Sequence, residues 1–314
     1  LKCICDGFCF SKIVFIFRLV LFLTKFKALK RILLSLALLL PVFSFAQAHH
    51  ELGITAGVAN YYGDLQDQVF PSYGYKPMIG ISYKYFMSPH IGLRFGATYA
   101  SVTAADSLSD IPANKARNLS FASDIYEFHG GLELNFLPID INRMKVTPYI
   151  FGGIAVFYFD PYATDPYGNK TFLRPLSTEG EGLRAYPDRK QYNLVNVAFP
   201  IGGGMKFLIG KTFVISAELG FRYTNTDYLD DVSKSYVNKD SLMAYKSKLA
   251  TQMSFRGDQT KGWDGNYPDY KFQRGDSKSN DWYWFGGITV AVYLRAFGNL
   301  SDYLPGRCPS FWKN

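Results

Sequence analysis

From residue 50 onward, large apolar residues recur at every second position in eight stretches. A two-residue period places them on one face of a strand. The strands are expected at about 50–60, 77–86, 91–101, 124–136, 146–158, 196–208, 212–223 and 282–297. The fourth is the clearest, with Tyr126, Phe128, Leu132, Leu134 and Phe136 opposite Glu127, His129, Gly131, Glu133 and Asn135. The fifth is apolar on both faces, so its orientation stays open.

The connections alternate. Those at 61–76, 102–123, 159–195 and 224–281 are long, and those at 87–90, 137–145 and 209–211 are short. This asymmetry marks an all-β, eight-stranded antiparallel transmembrane β-barrel with long external loops and short periplasmic turns. An even strand number leaves both chain ends on the periplasmic side. Strands of about 9–11 residues match a tilted bilayer crossing, and a sheet in hydrocarbon must close so that no backbone edge is left unpaired.

The face opposite the apolar one carries glycine and mixed charge: Glu51, Lys84, Arg94, Glu127, Glu133, Lys206, Glu218, Arg222 and Arg295. Acids and bases in near balance suit a narrow lumen filled by ion pairs, as an eight-stranded barrel allows. No open pore is expected. Tyr99, Tyr126, Tyr149, Tyr223, Trp282 and Trp284 fall near strand ends, where aromatic girdles belong. A periplasmic sandwich or lipocalin-like barrel would alternate too, with its faces reversed. The glycines on the charged face favour the membrane barrel, since they fit a crowded interior better than a wetted surface.

The composition agrees: 48% hydrophobic, 17% aromatic and 19% charged, which excludes a largely disordered chain. Mean hydropathy near zero excludes a bundle of many membrane helices. The net charge of +8 is concentrated at the start. Residues 1–46 hold seven bases and one acid; 27 bases and 25 acids remain in 47–314, a net of +2. Nothing there points to nucleic acid. Lys30-Arg31, an apolar run to Phe45 and Ser44-Phe45-Ala46 read as a signal peptide at 29–46, cleaved near Ala46. Residues 1–28 read as an upstream extension, with a short membrane helix around Ile13–Leu23 as the alternative. Cys3, Cys5 and Cys9 lie in that leader, so no metal is expected from them. The barrel is placed at 47–297 and a periplasmic tail at 298–314, with outer-membrane lipid as the surrounding solvent.

Candidate chemistry is sparse. His129 with Glu127 and Glu133 shares a strand face, and a buried hydrogen-bond network is the favoured reading over acid–base catalysis. No nucleophile elbow, zinc helix or phosphate loop occurs. Asp227, Asp230, Asp231, Asp240, Asp258, Asp264 and Asp269 crowd the last loop without EF-hand spacing, and are read as solvated loop acids. Arg256-Gly-Asp258 and Arg274-Gly-Asp276 are read as chance triplets. Tyr228, Tyr236, Trp263, Tyr267, Tyr270 and Phe272 imply that this loop folds over the barrel mouth or meets a partner. No catalytic residue and no cofactor are expected. A lipid-modifying enzyme or a generic porin-like barrel is the alternative.

Several stretches resemble the PorG-type outer-membrane barrel family of the type IX secretion system: His50–Gly57 leading to Asn60-Tyr-Tyr-Gly-Asp64, Thr147-Pro-Tyr149, and Thr226-Asp227-Tyr228-Leu-Asp230-Asp231-Val-Ser233. Arg274-Gly-Asp276, Asn280-Asp281-Trp282-Tyr-Trp284 and Arg307-Cys308-Pro309 extend the likeness over about 50–312. The resemblance implies a non-enzymatic barrel that anchors or aligns the periplasmic ring of PorK/PorN-type proteins in the secretion and gliding machinery. The tail residues Arg307, Cys308, Phe311 and Trp312 are candidate docking residues.

Overall fold

The computed structural model describes residues 49–138, 145–210 and 212–295, without the side chains of Tyr293 and Arg295. The expected signal peptide at 29–46, the cysteines ahead of it and the expected tail with Arg307, Cys308, Phe311 and Trp312 lie outside the described residues, as does the side chain of the lumen candidate Arg295.

Eight long strands form one closed antiparallel barrel. They are β1 (His49–Tyr62), β2 (Lys76–Phe86), β3 (Ile91–Ala105), β4 (Ser120–Asn135), β5 (Val146–Tyr158), β8 (Val195–Ile209), β9 (Phe213–Thr224) and β10 (Trp282–Arg295). Each pairs with its neighbour in the chain order of the eight, and β1 with β10 closes the ring from His49↔Arg295 to Tyr62↔Trp282. A small hairpin, β6 (Tyr162–Thr164) and β7 (Lys170–Phe172), stands in the third long loop and pairs with β4 at Ala122. The β5–β8 ladder breaks between Gly152↔Ile201 and Ala155↔Ala198. Pro200 sits in that gap, where it has no N–H to give.

The outward face is apolar. Ile54, Ile81, Phe128, Ile154, Ile201 and Ile288, on six different strands, are 56–66 % exposed. Moving such side chains out of water is worth about 1.5–3 kcal/mol each, so the belt requires an apolar solvent around it. Above the belt run two rows of rings. Tyr99, Tyr126 and Tyr158 are aligned across β3, β4 and β5. Trp282 stacks on Tyr62 and leans on Tyr223.

Two girdle expectations are corrected. Tyr149 points into the lumen and is buried, because β5 runs with Tyr149, Phe151, Ala155 and Phe157 inward and Ile150, Ile154 and Val156 outward. Trp284 faces outward but is covered by the first long loop: Phe70 and Tyr75 meet its ring edge-on, and its indole N–H donates to the Val69 carbonyl at 2.8 Å.

β3 and β4 continue past the tyrosine row to Ala105 and back to Ser120, further than the sequence pattern implied. There the polarity of the faces reverses. Val102, Ala104, Phe121 and Ile125 point inward and are buried, while Ser101, Thr103 and Asp124 point outward. The barrel wall has left lipid and become a water-facing sheet with an apolar interior.

Glycine pairs let neighbouring strands lean across the wall. A Cβ on Gly131 would strike the carbonyl of Gly152, and one on Gly153 the carbonyl of Gly130. Gly131 and Gly153 are directly paired, so both positions need the missing side chain.

Candidate functional site

Two clusters of buried charge are stacked inside the molecule, one in the lumen and one in a cap built by the long loops.

The lumen cluster is made by period-2 positions on the inward faces. Lys206 of β8 sits between Glu51 of β1, at 3.2 Å, and Glu133 of β4. Lys84 of β2 reaches Glu133 at 2.9 Å. Arg94 of β3 bridges Glu133 at 3.6 Å and Glu218 of β9 at 3.2 Å, and the Tyr149 hydroxyl donates to Glu218 at 2.8 Å. Higher up, Arg222 donates to Glu127 at 3.3 Å, and Glu127 also accepts from the Tyr283 hydroxyl at 2.8 Å. Four acids thus face four bases. The cations also lie over rings: Arg94 over Phe151 at 3.8 Å and Arg222 over Phe285 at 4.1 Å, which suits a charge removed from water. The structure brings together Glu51, Lys84, Arg94, Glu127, Glu133, Lys206, Glu218 and Arg222, and they plug the barrel. His129 is buried with Nδ1 3.0 Å from Glu127 Oε1. No hydroxyl or thiol nucleophile contacts it among the described residues.

The cap has its own core. All four long loops contribute: Leu65 from the first, Leu119 from the second, Leu173 and Tyr192 from the third, Leu229, Val232 and Met253 from the fourth. They meet Tyr61, Phe157, Phe159 and Tyr283 from the strand ends. Three short helices stiffen it: α1 (Pro112–Arg117), opened by proline at its first turn, α2 (Lys239–Tyr245) and α3 (Lys248–Ser254). Asn238 and Ser247 cap α2 and α3 by accepting from Ser241 N–H and Ala250 N–H, as short polar residues do at helix starts.

Buried arginines tie the loops together. Arg117 grips Asp106 with two N–H groups at 2.7 Å, donates to the Asp64 carbonyl at 2.9 Å and also to the Arg274 carbonyl. Arg274 donates to Glu179 at 3.1 Å, to the Asp231 carbonyl at 2.6 Å and to the Ser254 carbonyl at 3.1 Å. Arg189 donates to the Glu179 and Ser235 carbonyls. Neither Arg-Gly-Asp triplet is presented for adhesion: Arg274 is buried, and Arg256 is bonded to Ser120 and to the Thr164 carbonyl.

The stretches 60–64, 226–233, 274–276 and 280–282, far apart in sequence, converge here. Asp231 accepts from Thr178 at 2.5 Å and Tyr192 at 2.7 Å. Tyr228 stacks on Tyr192 with centroids 4.8 Å apart. Asn280 donates to the Thr224 carbonyl, and Trp282 belongs to the girdle.

Asp227, Asp230 and Asp231 are buried rather than solvated, which corrects the sequence expectation; Asp240, Asp258, Asp264 and Asp269 are exposed as expected. Burial pushes Asp227 up to about 8, with Asp64, Glu179 and Asp276 adding repulsion. Burial also raises Asp64 and Asp231 to about 6, held back by the Asp276 N–H and Arg117 and by Arg274 respectively. Glu181 rises to about 8 through burial beside Asp231 and Glu179. Among the described residues no three carboxylate, histidine or cysteine side chains are grouped to hold a metal ion.

A cleft of about 1420 Å³ opens between α1 and residues 260–275, with Asp64, Arg117 and Arg274 in its lining and Trp263, Tyr267 and Phe272 along its walls.

Residues 30–248 match the family model described as "Domain of unknown function (DUF6089)". The chain belongs to the DUF6089 family. The DUF6089 match reaches from ahead of β1 to the first residue of α3, so seven of the eight long strands and the first three long loops fall within it. Comparison with curated protein sequences returns no match. Among solved structures, the chain is similar to Neisserial surface protein A, at 10% identity and a TM-score of 0.38, over 77% of this chain and 96% of that one. It is also similar to OprG from Pseudomonas aeruginosa, at 7% and 0.37 over 80% and 98%, and to a major outer membrane protein from Thermus thermophilus, at 12% and 0.36 over 78% and 99%.

Proposed function

We propose that this DUF6089 chain is a non-catalytic outer-membrane barrel that serves as a closed anchor, with its cap at the cell surface and its chain ends in the periplasm. One observation carries this reading: an apolar belt on the outside surrounds a lumen sealed by matched ion pairs. A barrel in water would be built the other way round, and a channel would keep its centre open. The short turns and both barrel ends share one side, and the loops form the other, which is the orientation of an exported barrel.

The resemblance to PorG-type barrels extends the proposal to the type IX secretion and gliding machinery, where the anchor aligns a periplasmic ring of PorK/PorN-type proteins. Most of the residues behind that resemblance build the cap, at the long-loop end. Contact with the ring therefore falls to the other end and to the tail with Arg307, Cys308, Phe311 and Trp312.

Photocrosslinking from positions 311 and 312 in intact envelopes tests the secretion arm. Ring proteins are expected on the crosslinked species, and a tail that captures none of them removes that arm. Purification tests the barrel itself: a chain without its leader that stays monodisperse in plain buffer would refute the membrane reading.

A further inference from the structure

At the top of β1 the Tyr61 hydroxyl lies 2.6 Å from Asp230 Oδ2 and 2.9 Å from Asp281 Oδ1. A phenol has one proton to donate. It serves one carboxylate; the other short contact closes only when that carboxyl carries a proton and donates it to the phenol oxygen. The outer oxygens are already committed. Asp230 Oδ1 accepts from Val232 N–H at 2.8 Å, and Asp281 Oδ2 from Leu229 N–H at 2.9 Å. All three side chains are at most 1 % exposed.

Among the described residues no lysine or arginine forms an ion pair with Asp230 or Asp281. The ionisable groups facing it are Asp64 from the first loop, Asp227 from the fourth, Arg117 from the second and Tyr61 itself. Arg117 is the one base among them, and its guanidinium is engaged by Asp106 and by the Asp64 and Arg274 carbonyls. Two buried carboxylates this close to one acceptor cannot both ionise cheaply.

We propose that Tyr61, Asp230 and Asp281 form a proton-bridged latch: one carboxyl proton fastens the fourth loop to the rim of the barrel, and its loss loosens the cap. The backbone N–H bonds to Leu229 and Val232 make the latch part of the cap core, since both side chains are buried there. Burial first, then neighbouring acids, raises Asp230 and Asp281 well above the usual carboxylate range. A raised acid stabilises the folded cap fully below its ordinary value, and that contribution is lost as pH climbs through the raised one. The latch is therefore shut in acid and weakens as the medium becomes alkaline.

Hydrogen exchange on the full chain in lipid nanodiscs tests it, followed at the amides of Leu229 and Val232. Between the ordinary carboxylate value and the raised one, protection in the native protein should fall about tenfold per pH unit. In Asp281→Asn or Asp230→Asn the amide N–H replaces the carboxyl proton at every pH, and protection should stay level. A level native profile overturns the latch, as does the same slope in the variants. Should both variants fail to fold, infrared spectra of the native protein decide. A carbonyl band of a protonated carboxylic acid, shielded from solvent at neutral pH, is expected, and its absence overturns the proposal.

Discussion

The lumen and the cap bury their carboxylates by opposite means. In the lumen each glutamate meets a lysine or arginine: Glu51 and Glu133 share Lys206, Glu218 takes Arg94 and Glu127 takes Arg222. In the cap, Glu179 and Asp106 are matched by arginine, but Asp227, Asp230 and Asp281 crowd one another with no base of their own. A charge taken out of water needs either a counter-charge or a proton. Counter-charge gives a seal indifferent to pH over a wide range. Protonation gives a closure that responds to the medium. On the proposed reading, the unchanging part lies within the apolar belt and the responsive part in the loops beyond it.

The largest effect that would break this contrast is at Lys206. Its ammonium lies among Glu51, Glu133 and the Phe86 ring, fully buried. Lys206→Met keeps the volume and leaves two glutamates without their shared cation. Breaking a buried pair this way costs about 3–5 kcal/mol. The expected outcome is a marked drop in the unfolding midpoint of the detergent-solubilised barrel. Double replacement with Glu51→Gln should recover part of it, because Glu133 keeps Lys84 and Arg94 whereas Glu51 loses its lysine.

Arg274 tests the cap in the same currency. Arg274→Met removes donors to Glu179, Asp231 and Ser254. The expected loss is about 2–4 kcal/mol of cap stability, judged by the cost of orphaning buried charged hydrogen bonds. Limited proteolysis should cut within 225–281 much faster, while heat-induced barrel unfolding in the same sample shifts little. Equal changes in both would show that cap and barrel unfold as one unit and would erase the contrast.

The membrane part was the more legible in the sequence, for a physical reason. Lipid accepts only apolar side chains on the outer face, so Leu52, Ile54, Ile79 and Ile81 alternate strictly with lumen residues. The lumen ion pairs were readable from the same alternation. β5 was opaque because its inward face also carries large rings, Tyr149, Phe151 and Phe157, which fill the barrel. The cap escaped because its order depends on contacts between loops. Nothing local marks Tyr61 as the partner of Asp230 and Asp281, 169 and 220 residues away. The acids of Asp227–Asp231 looked solvated because loop aspartates usually are. Their apolar neighbours Leu229 and Val232, buried in the cap core, were the available signal. The strand ends beyond the tyrosine row were hidden by the reversal of polarity between lipid and water.

The smallest expected effect sharpens the comparison from its far side. Lys170 on β7 sits 3.7 Å from Asp124 and over the Tyr162 ring at 3.5 Å, but it is about half exposed. It therefore has the same kinds of partner as Lys206 and differs only in its access to water. Exposed ion pairs contribute about 0–1 kcal/mol, and an exposed cation over a ring adds about as little. Lys170→Ala should leave the unfolding midpoint and the cleavage rate of the cap within error, in low and high salt alike. Were it to destabilise the protein as strongly as Lys206→Met, partner geometry rather than desolvation would set the strength of these charges. Burial would then not be what separates one ion pair from the other.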